Sequence, residues 1–495
     1  MLEQTIHKPW QTDGRNSVKN DVSTRIKGLT SSKFFGFMRS FSLPVILTPE
    51  LFGLWSLITV FINYTNLTHL GILFEMNRRL PQLEVKDKVK EYIETRSIAF
   101  WFGIFMSIIV GLLLLLFYFS SDSYGSVYPI SFILLIIPII FLQHILNYQK
   151  INMRALGKIR LLSNQEVLFS FLLLVLNVFG GYFFKINGML ISTVIAYSIV
   201  IWYFRKHNII DSIVLNIKKT LNMLKLAIPL LIVGLLSVIM GSIGQIFVAN
   251  KLNLISVSYL SLGVLIGSIV YTIPTALAGV LNPRYLREYG KSSDPKNISI
   301  IFMKYLRIMS IITPVFIGII MITFDFVINS FLNKYEPAIE IIQILLIGMS
   351  FQSLSLIFGD PLITINKQSQ IIYAQLFSIL LLTIGISLVL EYGYNLKGVA
   401  LVIILINIMY SFILASLFII YTSNSKYNWF ELLKSILNTI LILFISIFIT
   451  YFLPLNHISI WMDFLDILYR LLWFLILISA LVYKIWPSKK KDYIK

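Results

Sequence analysis

The sequence contains no cysteine, which excludes disulfides and thiolate chemistry. Charge is scarce: 13% of its 495 residues are Asp, Glu, Lys or Arg, against about 25% in an average soluble chain. Histidine is rarer still, with five in all, and no His, Asp or Glu cluster has the spacing of a metal site. There is no P-loop, so ATP-driven pumping is excluded. No nucleophile–base–acid pattern occurs in the short links between apolar segments, so the chain reads as a non-enzyme that needs no cofactor or metal. No stretch is long and polar enough for a separate soluble domain, and the polar N-terminus lacks the apolar core of a cleaved signal peptide.

What fills the chain is hydrophobic sequence, 57% of it. Runs of about 20 apolar residues, enough to cross a bilayer, recur almost throughout. They predict an all-α polytopic membrane protein with about 14 transmembrane helices, near 26–47, 51–73, 98–119, 127–147, 163–184, 186–204, 225–249, 256–281, 301–324, 338–364, 371–390, 396–421, 432–453 and 464–486. The links support this count. Odd-numbered links carry no cation or a single one (Lys185, Lys251, Lys334, Lys397). Even-numbered links are basic: Arg78, Arg79, Lys86, Lys88, Lys90 and Arg96 in one, Lys150, Arg154, Lys158 and Arg160 in the next. The excess of Lys and Arg on one side is a topology signal that places both termini and all even links in the cytoplasm, with the protein in the cytoplasmic (inner) membrane. It also accounts for the formal charge of +18 without nucleic acid as a partner. The first span, which contains Lys33 and Arg39, has the pattern of an interfacial helix as well, but without it the basic N-terminal tail would change sides.

The chain repeats itself. At an offset of 205 residues, Ser56 meets Ser261, Leu57 meets Leu262, Asn63 meets Ser268, Asn77 meets Asn282 and Arg79 meets Arg284. At 210, Ile186-Asn187-Gly188 meets Leu396-Lys397-Gly398. Six spans separate the copies, so the halves are parallel repeats, a known transporter plan. The expected organisation is a cytoplasmic tail (1–25), an N-lobe of six spans (26–204), a linker (205–224), a C-lobe of six spans (225–421), a C-terminal helix pair (422–486) and a basic tail (487–495).

Several constellations are candidates for function. In the second span Ser56, Thr59, Asn63 and Asn66 step by three and four residues and so share one helix face. The eighth span carries Ser261, Ser268, Thr272, Thr275 and Asn282. Each such residue alone is typical glue between membrane helices; two matching stripes suggest the walls of one aqueous cleft. Arg39 is costly in a span, about 2.5–3.5 kcal/mol at the centre of a helix, and cannot shed its proton. Either it faces a cavity that receives an anion such as a phosphate or pyrophosphate, or it snorkels or pairs with a carboxylate, for which the first two spans offer Glu50 and Glu75. Arg78, Arg79 and Arg284 stand at cytoplasmic span ends, where topology signalling and contact with anionic membrane lipids compete with a role at a cavity mouth. Gly359-Asp360-Pro361 interrupts the tenth span; it reads as a broken helix with an ion or proton site, or as a kink with Asp360 paired to Lys367. His69 and His144 are either proton relays or hydrogen-bonded packing residues.

The strings Gly36-Phe37-Met38-Arg39, Leu47-Thr48-Pro49-Glu50-Leu51-Phe52-Gly53-Leu54-Trp55, Leu70-Gly71 and Asn77-Arg78-Arg79-Leu80 resemble the start of the polysaccharide-exporter family, the Wzx-type flippases of the multidrug/oligosaccharidyl-lipid/polysaccharide exporter superfamily. Leu156-Gly157-Lys158 and the Gly188 and Gly398 span openings are similar to that family too. Thr48 stands where glycine is usual. His69 replaces an acid or small polar residue, which puts a coupling role there in doubt. The resemblance implies a flippase that moves undecaprenyl-diphosphate-linked oligosaccharide to the outer leaflet for O-antigen, capsule or other surface polysaccharide, by alternating access and alongside polysaccharide polymerase machinery. On that reading Arg39, Ser56, Thr59, Asn63, Asn66, Arg78, Arg79, Ser268, Thr272 and Arg284 bind substrate, and Asp360 and His69 are candidates for ion coupling. Two alternatives remain. One is a cation-coupled multidrug antiporter of the same superfamily, which would want acids rather than Arg39 in its cleft. The other is a non-transporting subunit of a polysaccharide-synthesis complex.

Overall fold

The helices begin and end where the sequence supplies caps and turns. The computed structural model describes residues 18–85, 87–120, 130–207, 213–214, 216–272, 274–275, 281, 285, 288–289, 294–422, 426–453 and 460–485. Among these the regular elements are all helical. They are α1 (Val18–Ile46), α2 (Pro49–Thr65), α3 (Ile72–Val85), α4 (Val89–Ser120), α5 (Ile130–Ala155), α6 (Ile159–Tyr203), α7 (Ile217–Lys251), α8 (Leu254–Val270), α9 (Pro295–Phe331), α10 (Ile339–Thr364), α11 (Gln368–Glu391), α12 (Asn395–Thr422), α13 (Lys426–Phe452) and α14 (Ile460–Ile485), with two short 3-10 turns. Nine of the described helices are long and apolar enough to cross a membrane. The other expected spans lie on α1, which contains Lys33 and Arg39; on α2 and α8, each 17 residues; on α14, which carries Asp463, Asp466 and Arg470; and within α6, which holds two. The protein is a multi-pass membrane protein. It forms two compact units, Met1–Val238 and Ile239–Lys495.

In the first unit α1 lies along α6. Gly28 sits so close to Ser163 that a Cβ there would be 2.5 Å from the serine Cβ, Arg25 binds Glu166 through both terminal nitrogens at 2.6 and 3.1 Å, and Phe35 meets Phe171 edge-on at 5.4 Å. The Thr48-Pro49-Glu50 link then starts α2 by standard chemistry. The Thr48 side chain accepts from the Leu51 N–H, Pro49 takes the first-turn position where no N–H is needed, and Glu50 opposes the helix dipole. α6 is two helices joined at Lys185, whose φ and ψ of 53° and −133° are not helical. Its halves fold back on each other: Thr193 donates to Asn177, Ser192 donates to the Leu176 carbonyl at 2.8 Å, and Gly188 touches Gly180 backbone to backbone. That hairpin gives the two spans expected at 163–184 and 186–204.

The second span is not one helix over 51–73. α2 stops at Thr65, and the chain turns through Leu70 and Gly71, whose φ values of 46° and 79° are left-handed. Gly71 is needed there twice, for the positive φ and because a Cβ would come 3.1 Å from the Ala227 carbonyl oxygen. α3 is therefore a separate amphipathic helix. Ile72, Leu73, Met76, Leu80 and Leu83 are buried with Ile98, Phe100, Tyr148 and Met223, while Asn77 and Arg78 face outward.

In the second unit the described α-helices after α7 are α8 to α14. Asn253 caps α8 by accepting from the Ser256 N–H at 2.8 Å. α11 and α12 form a hairpin over the left-handed Gly393 and Asn395, with Gly385 against Val402 and Gly398 against Val389. α13 and α14 both pack on α9: Ile311 and Ile322 of α9 are buried with Ile442 and Ile449 of α13 and Phe474 and Ile478 of α14, and Phe474 lies on Gly318. α10 runs unbroken through Gly359-Asp360-Pro361, so the expected helix break is absent. Pro361 falls in the last turn, where Thr364 donates to the Asp360 carbonyl at 3.0 Å.

Candidate functional site

Arg39 is half-buried on α1, and its Nε is buried without a hydrogen-bond partner. Neither carboxylate within sequence reach answers it. Glu50 is exposed in the first turn of α2, and Glu75 is taken by Arg78, which donates to it from Nε and Nη2 at 2.9 and 3.0 Å. The electrostatic neighbour of Arg39 is Tyr197, on the second half of α6. Tyr197 in turn packs on Phe169 at 4.6 Å. Arg39 thus has no acid partner among the described residues.

The polar stripe of α2 turns largely back on its own helix. Ser56 is buried and donates to the Phe52 carbonyl at 2.8 Å; Thr59 donates to the Trp55 carbonyl at 2.9 Å. Their oxygens keep lone pairs but no free proton. Asn63 is exposed. Asn66, at the α2 C-cap, accepts from Asn147 of α5 at 3.1 Å, and Thr65 one residue earlier donates to Gln143 at 3.2 Å. In the second unit Ser268 and Thr272 likewise bond the carbonyls of Leu265 and Ile269. Tyr271, the residue equivalent to Asn66, donates to Gln352 of α10, which also accepts from Asn407 of α12 at 3.3 Å. Each of these two interhelical pairs joins residues 81 apart in sequence, so both partners obey the 205-residue offset. The repeat evident between the second and eighth spans therefore extends to α5 and α10, and the same offset applied along the sequence finds this pair.

Arg78 is exposed, and its hydrogen-bonded Glu75 pushes its pKa up. Arg79 reaches Glu91 at 3.6 Å. Both cations placed at a cavity mouth therefore already hold carboxylates. Arg284 lies outside the described residues. His69 is buried and its Nδ1 accepts from the Gly71 N–H at 3.0 Å, which pins the left-handed turn. His144 packs on Gly103, and its Nε2 bonds the Phe100 carbonyl at 3.1 Å. A carbonyl only accepts, so Nε2 carries the proton and the buried Nδ1 is bare, without a partner. Asp360 does not pair with Lys367, which instead lies 4.6 Å from the centre of the Tyr421 ring. No His, Asp or Glu cluster suited to a metal occurs among the described residues.

The sequence matches the model of a family described as polysaccharide biosynthesis protein over residues 43–340. The chain belongs to that family. No curated protein matches it in sequence at a significant level. Among solved structures, the lipid II flippase MurJ in an inward closed conformation superposes with a TM-score of 0.71 at 17% identity, over 93% of this chain and 99% of that one. An inward-facing MATE-family multidrug resistance transporter of the MOP superfamily gives 0.63 at 12% identity, over 79% and 96%. A MOP-superfamily transporter from Pyrococcus furiosus, described as having a binding pocket of reverse polarity, gives 0.56 at 13%, over 81% and 94%. At these identities the likenesses establish a MurJ- and MATE-like fold. That fold is shared with a flippase and with multidrug transporters.

Proposed function

We propose that this family member is a flippase for undecaprenyl-diphosphate-linked oligosaccharides, working by alternating access in the cytoplasmic membrane with both termini inside. The observation that carries the reading is Arg39, a half-buried guanidinium without an acid partner among the described residues. A fixed cation in a span suits a phosphate or pyrophosphate and works against the organic cations of a multidrug antiporter. The lipid II flippase among its fold neighbours supports a lipid-linked cargo. In this reading the lobes are 26–204 and 225–421, and Asn63, exposed on α2, meets sugar hydroxyls. The product feeds polymerase machinery for O-antigen, capsule or another surface polysaccharide.

The test is deletion of the gene followed by a search for lipid-linked oligosaccharide on the cytoplasmic face, with complementation by Arg39→Lys and Arg39→Ala at equal protein level. Accumulation on deletion, rescue by wild type and failure of Arg39→Ala are expected. A deletion that accumulates nothing, but raises sensitivity to cationic drugs, replaces the flippase with the antiporter.

A further inference from the structure

The basic link after α5 counts as a topology signal in the sequence, but two of its cations do more than mark a side. Gln143, Asn147, Lys150 and Arg154 step along α5 by four, three and four residues, so they form one stripe. Its first half is occupied: Gln143 holds Thr65 and Asn147 holds Asn66. Its second half is not. Lys150 is half-buried, forms no ion pair among the described residues, and has as its polar contact the face of Phe169, 5.5 Å from the ring centre. Arg154, one turn further, is exposed and has no carboxylate of its own among the described residues.

Around Lys150 stand Glu166, Arg154 and Arg25. Glu166 is the one carboxylate of this group, and Arg25 already holds it with both terminal nitrogens at 2.6 and 3.1 Å. Three cations to one acid leave an excess of two positive charges. Like charges gathered in one group repel one another, so an arrangement of this kind is completed by an anion. Paired cations elsewhere in the same unit make the contrast plain: Arg78 has Glu75, Arg79 and Lys88 share Glu91, and Lys219 has Glu94. From Lys150 the contacts run on through Phe169 and Tyr197 to the neighbourhood of Arg39.

We propose that Lys150 and Arg154, with the guanidinium of Arg25, form a receiving site for the diphosphate of a lipid-linked saccharide at the Ala155 end of α5, from which the headgroup passes to Arg39. The proposal rests on the flippase reading. A diphosphate that links lipid to sugar carries two negative charges, which matches the excess; an anionic phospholipid headgroup with one charge does not.

The test uses the full chain in phosphatidylcholine nanodiscs, titrated with a farnesyl-diphosphate-linked monosaccharide, whose diphosphate diester carries two negative charges. The Lys150→Gln/Arg154→Gln variant is expected to bind at least about tenfold more weakly, the loss of roughly one charge-assisted hydrogen bond. Lys150→Arg should bind as wild type, and so should Lys397→Gln, which removes a cation paired with Glu340 in the other unit. Arg154→Gln alone, at an exposed position, should retain the fold and weaken binding by a smaller factor. Unchanged affinity in the double variant overturns the site. So does a farnesyl phosphodiester, with one negative charge, binding as tightly as the diphosphate diester. Displacement of the probe by phosphatidylglycerol at matched concentration assigns the cluster to membrane lipid and also overturns it. Failure here leaves the flippase standing if gene deletion still accumulates cytoplasm-facing lipid-linked saccharide; a deletion without accumulation removes the flippase whatever the titration gives.

Discussion

Residues 48–66 and 253–271 are one design used twice. Each helix is 17 residues long, each is capped by a side chain, and the limits of α2 and α8 correspond residue for residue at an offset of 205. Each ends on a residue that bonds the middle of another helix, Asn66 to Asn147 and Tyr271 to Gln352. The cations without an acid partner among the described residues are not repeated. Arg39, Lys150 and Arg154 correspond to Gly244, Ser355 and Gly359 at the same offset. The duplicated features are those that hold a helix in place; the features found in one copy are unpaired cations. Scaffold and unpaired charge are thus separable, and each can be challenged by itself.

The largest effect is expected from removing charge. Arg39→Ala should lower surface glycan at least about tenfold at equal protein level, the scale of one lost charged hydrogen bond, and adding Gly244→Arg should not restore it. Restoration would show that the two units are interchangeable and end the asymmetry. Next comes the pair of hairpins. A Cβ at Gly188 would run into the Gly180 carbonyl oxygen, whereas one at Gly398 would first meet Val389 Cγ1. Backbone cannot step aside and a valine rotamer can, so Gly188→Ala should cost about 1–3 kcal/mol and Gly398→Ala less. Thermal melting of the purified variants measures both, and equal losses would contradict that ranking. Smaller still are the interhelical pairs. Double-mutant cycles for Asn66→Ala with Asn147→Ala, and for Tyr271→Phe with Gln352→Ala, should each give a coupling of about 0.6 kcal/mol, the usual size in membranes. A coupling present in one unit alone would break the equivalence. Smallest is Thr59→Val: the hydroxyl proton already goes to the Trp55 carbonyl, so stability should stay within about 0.5 kcal/mol and surface glycan should not change.

Much of the scaffold is legible in the amino-acid sequence. Helix starts at Pro49 and Leu254 follow from local capping, and the spans follow from runs of apolar residues, because both depend on residues within one or two turns. The 205-residue offset is legible as well, though only as isolated matches. The turn at Leu70–Gly71 is not. Its left-handed backbone depends on the approach of Ala227 and on the His69 ring, and in sequence it looks like the tail of one span. Gly359-Asp360-Pro361 misleads in the opposite direction, since the local effect of proline is absorbed where the helix is ending anyway.

For the candidate site the division is sharper. The sequence alone marks Arg39 as costly in a span, because the penalty on a buried guanidinium depends on hydrocarbon and water and not on the fold. It presents Arg78, Arg79, Lys150 and Arg154 as equal members of basic links. Only the tertiary structure separates them, since whether a cation is free depends on which carboxylates the packing brings to it. Glu75 and Glu91 reach Arg78 and Arg79, while the acid nearest Lys150 is already held by Arg25, 141 residues away in the chain. Hydrophobic length and local caps determined that this protein crosses the membrane many times and uses its helix plan twice. The folding of α1 onto α6 decided where positive charge is left over, because Coulomb pairing acts through space, between groups that the sequence keeps far apart.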